Sequence, residues 1–350
     1  MSDEKMIAAR LHEVKVPLVI EEVDIPKPGP SEALIQMKAC GICATDVHTA
    51  LEGTVPTAYT PITLGHEPSG VISDLGEGVR GWKRGDRVAI YPQVTCGICP
   101  QCREGRDGIC INTRVLGMHL DGAFADYIVM PVKNLVRIPD NVSFRVAAIM
   151  TDAGATPFHA VTKRGRVSPG ETVAIFGCGG LGMNAIPFCR LAGAAKIIAV
   201  DTSDHALERA LKVGADITVN AGVEKPYKEV ISANGGYGVD VAFEFVGVNA
   251  AIDQAVRSLR RGGRAVAVGI GPERINIIAP FFFVYNDLAL IGSFGSDIGD
   301  LEKLMGIAAA GKLDLSESVS SVIPLGDVNQ GISDLEKKVG NPVRIVVSME

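Results

Sequence analysis

A glycine turn set between an apolar strand and a helix restricts the folds open to this chain more than any other feature. The strand is Thr172-Val-Ala-Ile-Phe176, and it runs directly into Gly177-Cys-Gly179-Gly180-Leu181-Gly182. In that setting the G-x-G-x-x-G spacing has a mechanical reading. The first glycine makes the tight turn, the second lets backbone approach a pyrophosphate, and the third lets helix and strand pack closely. The helix start adds positive potential for the phosphates. The next strand, Lys196-Ile-Ile-Ala-Val-Asp201, ends on a carboxylate at the distance where ribose hydroxyls are met. A carboxylate there repels a 2'-phosphate and no arginine follows it directly, so NAD is expected rather than NADP. Strand-like runs at 217–219, 239–245 and 264–269 continue the pattern, with helices expected near 205–213, 226–233 and 249–260. Apolar strands alternating with helices indicate a parallel sheet covered on both faces. Pro187 breaks the local rule by lying inside the first helix, and a bend is expected there.

The first 150 residues read differently, as short strands (33–38, 70–73 and 87–91) broken by turns such as Pro26-Lys-Pro-Gly-Pro30. The tail is mixed, with helices expected near 299–310 and 326–338 and strands near 317–323 and 343–347. At 350 residues the chain is too long for one ordinary core, so two domains are expected. Its net charge of -6, with no basic stripe to offset it, argues against a nucleic-acid partner. No signal core and no apolar run of spanning length are found, so a soluble chain with no membrane partner is expected.

Four of the eight cysteines form one short run, Cys96, Cys99, Cys102 and Cys110. This spacing lets one loop fold back and present four thiolates to a tetrahedral soft cation such as zinc. Four thiolates close the coordination sphere, so such a metal holds a lobe together and leaves no open position for chemistry. The remaining thiols, Cys40, Cys43, Cys178 and Cys189, fit a reducing cytoplasm.

Upstream lie Gly41-Ile-Cys43-Ala-Thr45-Asp46-Val-His48 and Leu64-Gly-His66-Glu67-Pro. With the four-cysteine loop and the glycine turn, they make the chain resemble the zinc-dependent medium-chain alcohol dehydrogenases over essentially its whole length. The family's G-[IV]-C-x-[ST]-D-x-H and G-H-E segments carry catalytic zinc ligands, which the resemblance puts at Cys43 and His66. It makes Cys40 a packing residue, Asp46 a partner behind the ligands and Glu67 a carboxylate able to approach the metal. The third ligand departs from the commonest form of the family. Met150-Thr-Asp152-Ala-Gly-Ala-Thr156-Pro has aspartate in place of a second cysteine, as some secondary-alcohol dehydrogenases do. A Cys/His/Asp set is chemically acceptable to zinc and leaves a fourth position for water or substrate oxygen.

The resemblance implies further roles. Bound zinc favours an alkoxide that gives up hydride to the nicotinamide. The Thr45 hydroxyl contacts the substrate oxygen, and the proton leaves through the cofactor ribose to His48. Thr156 lies against the nicotinamide. Gly269, Ile270, Ser293 and Phe294 hold its carboxamide, and Val246 belongs to the same cofactor site. Arg344 reaches the pyrophosphate from the other domain, while Ala44 leaves one phosphate contact missing. Tyr91, Pro92 and His119 line the substrate pocket, with Phe281-Phe-Phe283 close by in sequence.

The expected architecture is thus α/β: a Rossmann doubly wound domain (155–295) inserted into a β-rich, GroES-like catalytic domain formed by 1–154 and 296–350. The expected cofactors are two zinc ions per chain, one catalytic and one structural, together with NAD. The expected reaction is reversible oxidation of a secondary, apolar or cyclic, alcohol to a ketone. Within the family the alternatives are a polyol or hydroxy-amino-acid dehydrogenase and a cyclic hydroxyacyl-CoA dehydrogenase. Outside it stands a non-catalytic, zinc-stabilised NAD-binding protein, disfavoured because Cys43, His66 and Asp152 are all present. The family also implies a homotetramer, otherwise a homodimer.

Overall fold

The computed structural model describes residues 4–222 and 225–350. They divide into two compact units, one running to Ala155 and resuming at Asp297–Glu350, the other Thr156–Ser296. Each boundary falls one residue from the expected position.

The second unit is built on a six-stranded parallel sheet. Its strands lie in the order Ile217–Asn220, Lys196–Asp201, Thr172–Phe176, Val239–Glu244, Leu259–Ala267, Ala289–Gly292. The chain therefore starts in the middle of the sheet and reverses direction there, which opens a crevice at the carboxyl ends of the strands. Central strand 172–176 is buried at every residue, as a strand covered on both faces must be. Val173, Ala174, Phe176, Ile198 and Val241 are each at most 3% exposed. The helices lie close to their expected limits. Asp204–Lys212 is capped by Ser203, whose hydroxyl accepts from the N–H of Ala206 at 3.3 Å. Helix Gly182–Leu191 is one continuous segment through Pro187. The largest differences from the sequence reading lie late in this unit, where the strand read as 264–269 runs Leu259–Ala267. Helix Asn249–Arg257 stops short of 260, because Leu259 already pairs in parallel with Val239. The strand Ala289–Gly292 was not read from the residue pattern, which is too short at four residues to stand out, although the resemblance put Ser293 at a strand end.

The first unit is mainly antiparallel. Its larger sheet runs Leu135–Arg137, Arg87–Ile90, Glu67–Leu75, Glu32–Ile42, Arg344–Ser348, Val319–Pro324, with Tyr127–Pro131 also on the long strand Glu32–Ile42. A second sheet pairs Lys5–Leu11 with Val19–Asp24 and Ile62–Thr63. Ile35, Met37, Ile42, Ile62, Phe124 and Val347 fill the core between them and are fully buried. Strand 32–42 matters most for the chemistry. It lies between the strand that begins at Glu67 and the strand that begins at Arg344. Among the described residues, no helix is long and apolar enough to cross a membrane.

Candidate active site and metal centres

The four-cysteine loop closes on itself as its spacing demands. The Cys99 sulfur lies 3.5 Å from that of Cys102 and 4.0 Å from that of Cys110, and the Cys110 and Cys96 sulfurs are 3.6 Å apart. Zinc–sulfur bonds of about 2.3 Å in a tetrahedron put sulfurs about 3.8 Å apart, so the four positions fit zinc. Backbone N–H groups of Ile98 and Cys99 aim at the Cys96 sulfur and draw its pKa down to about 6. Burial pushes the Cys102 thiol up to about 12, a burden that a cation would relieve. The lobe is tied down by Gly108, whose N–H donates to Asp297 at 3.0 Å. Asp297 also caps helix Ile298–Ala309 in a reciprocal box with Asp300.

A second cluster joins three separate stretches of the first unit. Ligand atoms of Cys43, His66, Glu67 and Asp152 all lie within 4.8 Å of one another. Cys43 stands at the N-terminus of the short helix Ala44–Val47, and its N–H donates to the Asp46 carboxylate at 2.9 Å. The other Asp46 oxygen lies 3.5 Å from His66 Nδ1 and accepts from the N–H of Gly65 at 3.3 Å. Asp46 thus fixes both Cys43 and His66, the carboxylate–histidine arrangement that supports metal ligands. Burial works against a charged His66, yet the charges of Asp46 and Cys43 raise it well above its ordinary 6.5. Asp152 lies in a π-type turn, Met150–Gly154, that continues helix Phe144–Ile149, and its carboxylate comes within 3.5 Å of the Cys43 sulfur. Such turns push one side chain out of helical register and recur at functional sites. This buried, anion-rich cluster fits a dication: one soft sulfur, one imidazole and one carboxylate are acceptable to zinc.

Glu67 and Arg344 complete the cluster. Glu67 is fully buried, and its Oε1 lies 2.9 Å from Arg344 Nη2, which is 3.9 Å from Asp152 Oδ2. Arg344 has a partner inside its own unit. The resemblance puts it at the pyrophosphate; in the structure its side chain is 4% exposed and its guanidinium lies against Glu67. The reason is electrostatic, since a guanidinium taken out of water needs a carboxylate beside it. Cys40 is a packing residue, fully buried, with its thiol held well above the ordinary 9.0 by burial.

Thr45 lies beside the cluster, its Oγ1 3.6 Å from the Cys43 sulfur. His48 is half-exposed and bonds Glu52 at 2.9 Å through Nδ1. Of the expected pocket residues, Tyr91 is 2% exposed with its hydroxyl on Gln93 at 3.3 Å, and Pro92 is buried. Neither forms an open wall. His119 is exposed, with Nδ1 accepting from the N–H of Val115 at 3.1 Å.

In the second unit the cofactor candidates gather at the carboxyl ends of the strands. Gly177 follows strand 172–176 with φ of 89°, and Gly182 packs so closely that an added Cβ would meet the Gly177 carbonyl oxygen at 1.8 Å. A Cβ on Gly179 would meet nothing within 4 Å, so the space a pyrophosphate needs is open. Gly180 and Leu181 are half-buried between them. Asp201 ends its strand and accepts from the N–H of Cys178 at 2.7 Å and of Ser203 at 2.9 Å. Val246, Gly269–Ile270 and Ser293–Phe294 each follow a strand end. Val246, Ile270 and Phe294 are 49%, 75% and 52% exposed, while Ser293 and Thr156 are buried. One residue escaped the sequence reading. Glu244, 1% exposed, accepts from the N–H of Val246 at 2.5 Å and of Gly247 at 2.7 Å, bracing the turn that carries Val246. A buried carboxylate at a strand end, two residues before the turn, was its only signal.

One unit thus carries two groups of side chains able to hold a metal ion, and the other a glycine turn at the carboxyl end of a parallel sheet, the parts of a zinc-binding dehydrogenase. Comparison with known proteins agrees. Residues 29–140 match the alcohol dehydrogenase GroES-like domain, and residues 180–310 match the zinc-binding dehydrogenase domain. An alcohol dehydrogenase of Geobacillus stearothermophilus is 37% identical over 93% of this chain and 94% of its own. An L-threonine 3-dehydrogenase of Pyrococcus horikoshii is 32% identical over 91% of each. The crystal structure of a putative zinc-binding dehydrogenase from Sinorhizobium meliloti bound to NADP superposes with a TM-score of 0.91, 33% identity and 99% of each chain covered. The chain belongs to the zinc-dependent medium-chain alcohol dehydrogenase family and is an oxidoreductase.

Proposed function

We propose that this enzyme reversibly oxidises a secondary alcohol, apolar or cyclic, to a ketone with NAD, using one catalytic and one structural zinc per chain. The observation that carries the reading is the meeting of Cys43, His66 and Asp152 in one buried cluster beside Thr45. When bound, zinc polarises the substrate oxygen and lowers its pKa, and NAD accepts the hydride. The chain's own residues then do the rest. Asp46 orients Cys43 and His66; Thr45 Oγ1 would accept the substrate hydroxyl's proton while giving up its own, which half-exposed His48, oriented by Glu52, would collect and pass to solvent. Asp201, pinned by two N–H groups, presents negative charge where a 2'-phosphate would lie, which supports NAD. Thr156, Val246, Ile270, Ser293 and Phe294 are read as the nicotinamide wall.

A hydroxy-amino-acid substrate is the second reading, favoured by the threonine dehydrogenase among the relatives; threonine also carries a secondary hydroxyl. We read the protein as cytoplasmic and as a homotetramer, otherwise a homodimer. Helix Pro280–Tyr285 supports assembly, because it leaves Phe281 and Tyr285 at 68% and 60% exposure. The test is NADH or NADPH formation across primary, secondary and cyclic alcohols, polyols, L-threonine and a cyclic hydroxyacyl-CoA. Turnover of secondary or cyclic alcohols with NAD is expected. Turnover confined to L-threonine, polyols or the thioester would overturn the substrate class, and preference for NADP would overturn the role given to Asp201.

A further inference from the structure

The cluster holds four groups able to bind a metal, yet the reaction needs only three. Glu67 is the surplus ligand, and what keeps it back is visible in the fold. Its side chain lies across Gly41 on the neighbouring strand, where an added Cβ would meet Glu67 Oε2 at 2.0 Å. On the far side of that strand Arg344 begins its own strand, with Nη2 2.9 Å from Glu67 Oε1. The missing side chain at position 41 is therefore the passage through which carboxylate and guanidinium meet. Both oxygens of Glu67, and Nε and Nη2 of Arg344, lack a partner in hydrogen-bond geometry although all are buried. The pair is held by charge rather than by directed bonds, so Glu67 can exchange one cation for another at little cost in geometry.

We infer that Arg344 is a positioning residue that competes with the catalytic metal for Glu67 and so keeps the fourth coordination position open. The inference rests on the zinc site assigned above. With Arg344 in place, Glu67 has a cation and stays off the metal. Without it, a fully buried carboxylate is left uncompensated, a costly state that ligation of the nearby dication would relieve. The metal would then have four protein ligands, the closed arrangement of a structural site.

The test uses the full protein with cobalt at the Cys43/His66/Asp152 site and zinc kept at the four cysteines, without NAD. Imidazole is titrated while the cobalt d–d spectrum is recorded, and cobalt loss to EDTA is timed. The wild type should bind imidazole with a spectral change. Arg344→Met should show no change and lose cobalt about tenfold more slowly, within the range that neighbours of ligands exert. Arg344→Met with Glu67→Gln should bind imidazole again, a rescue that a merely structural role of Arg344 does not predict. Should Arg344→Met not fold, Arg344→Lys, which keeps the charge but not the reach, takes its place with weakened imidazole binding expected and the same rescue by Glu67→Gln. Imidazole binding and cobalt loss in the Arg344 variant equal to the wild type would overturn the inference, as would a wild type blind to imidazole. Failure of every variant to hold cobalt while retaining its four-thiolate zinc would instead sink the metal site itself.

Discussion

Replacing Gly182 and Gly179 by alanine, one at a time, should separate folding from cofactor binding within a single turn. At Gly182 the new Cβ falls 1.8 Å from the Gly177 carbonyl oxygen, where real contacts stay beyond 3.0 Å, so backbone must move by about 1.2 Å, the difference of the two. Overpacking of this kind costs about 1–3 kcal/mol. Alanine's helix preference over glycine returns about 0.5–1 kcal/mol, less at a first helical position such as this one. The net destabilisation is about 1–2 kcal/mol, and at about 2–4 °C per kcal/mol for a unit of this size the Tm should fall by about 2–8 °C. Gly179→Ala meets no atom within 4 Å, so its Tm should stay within about 1 °C of wild type. If pyrophosphate lies against Gly179, however, NADH affinity should fall at least tenfold, about 1.4 kcal/mol. Thermal unfolding of the zinc-loaded protein without cofactor, and titration of NADH fluorescence, read the two effects separately. An unchanged Tm for Gly182→Ala, or wild-type NADH binding by Gly179→Ala, would refute the reasoning for that glycine.

Three further outcomes are expected. Asp152→Ala should cut the zinc content from two per chain to one and lower NADH formation by more than about 100-fold, since it removes a ligand rather than a neighbour of one; metal analysis beside the rate assay checks it. Cys99→Ala should keep the zinc at Cys43, His66 and Asp152 but lose the other, and limited proteolysis should then cut first within 96–110, where metal supplies the folding energy. Burial holds the Glu244 carboxyl above its ordinary 4.5, outweighing the N–H groups of Gly247 and Val246 that lower it. An acid raised on folding keeps its proton longer in the folded state, so stability falls as pH rises from about 4.5 through the folded pKa. Glu244→Gln should flatten that part of a Tm-against-pH curve, while Glu244→Ala should cost about 1–3 kcal/mol by stranding two N–H donors.

Much of this protein could be read from the sequence because its information there is local. Four thiolates within one loop must meet wherever the loop lies, so the spacing of Cys96, Cys99, Cys102 and Cys110 was sufficient. The glycine turn worked the same way, each glycine being set by its neighbours in strand and helix. The resemblance supplied Cys43, His66 and Asp152, whose separation in the chain no spacing rule could bridge. Periodicity placed the strands and helices, and failed where pairing overrode it, at Leu259, or where the element was too short, at 289–292. Arg344 shows the other limit. The resemblance gave it a phosphate to reach, but its contact with Glu67 follows only from the order of three strands. That order brings Glu67 and Arg344 to opposite sides of Gly41, and a buried charge settles on the opposite charge it can touch. Which cation Glu67 holds is thus written in the sheet and not along the chain.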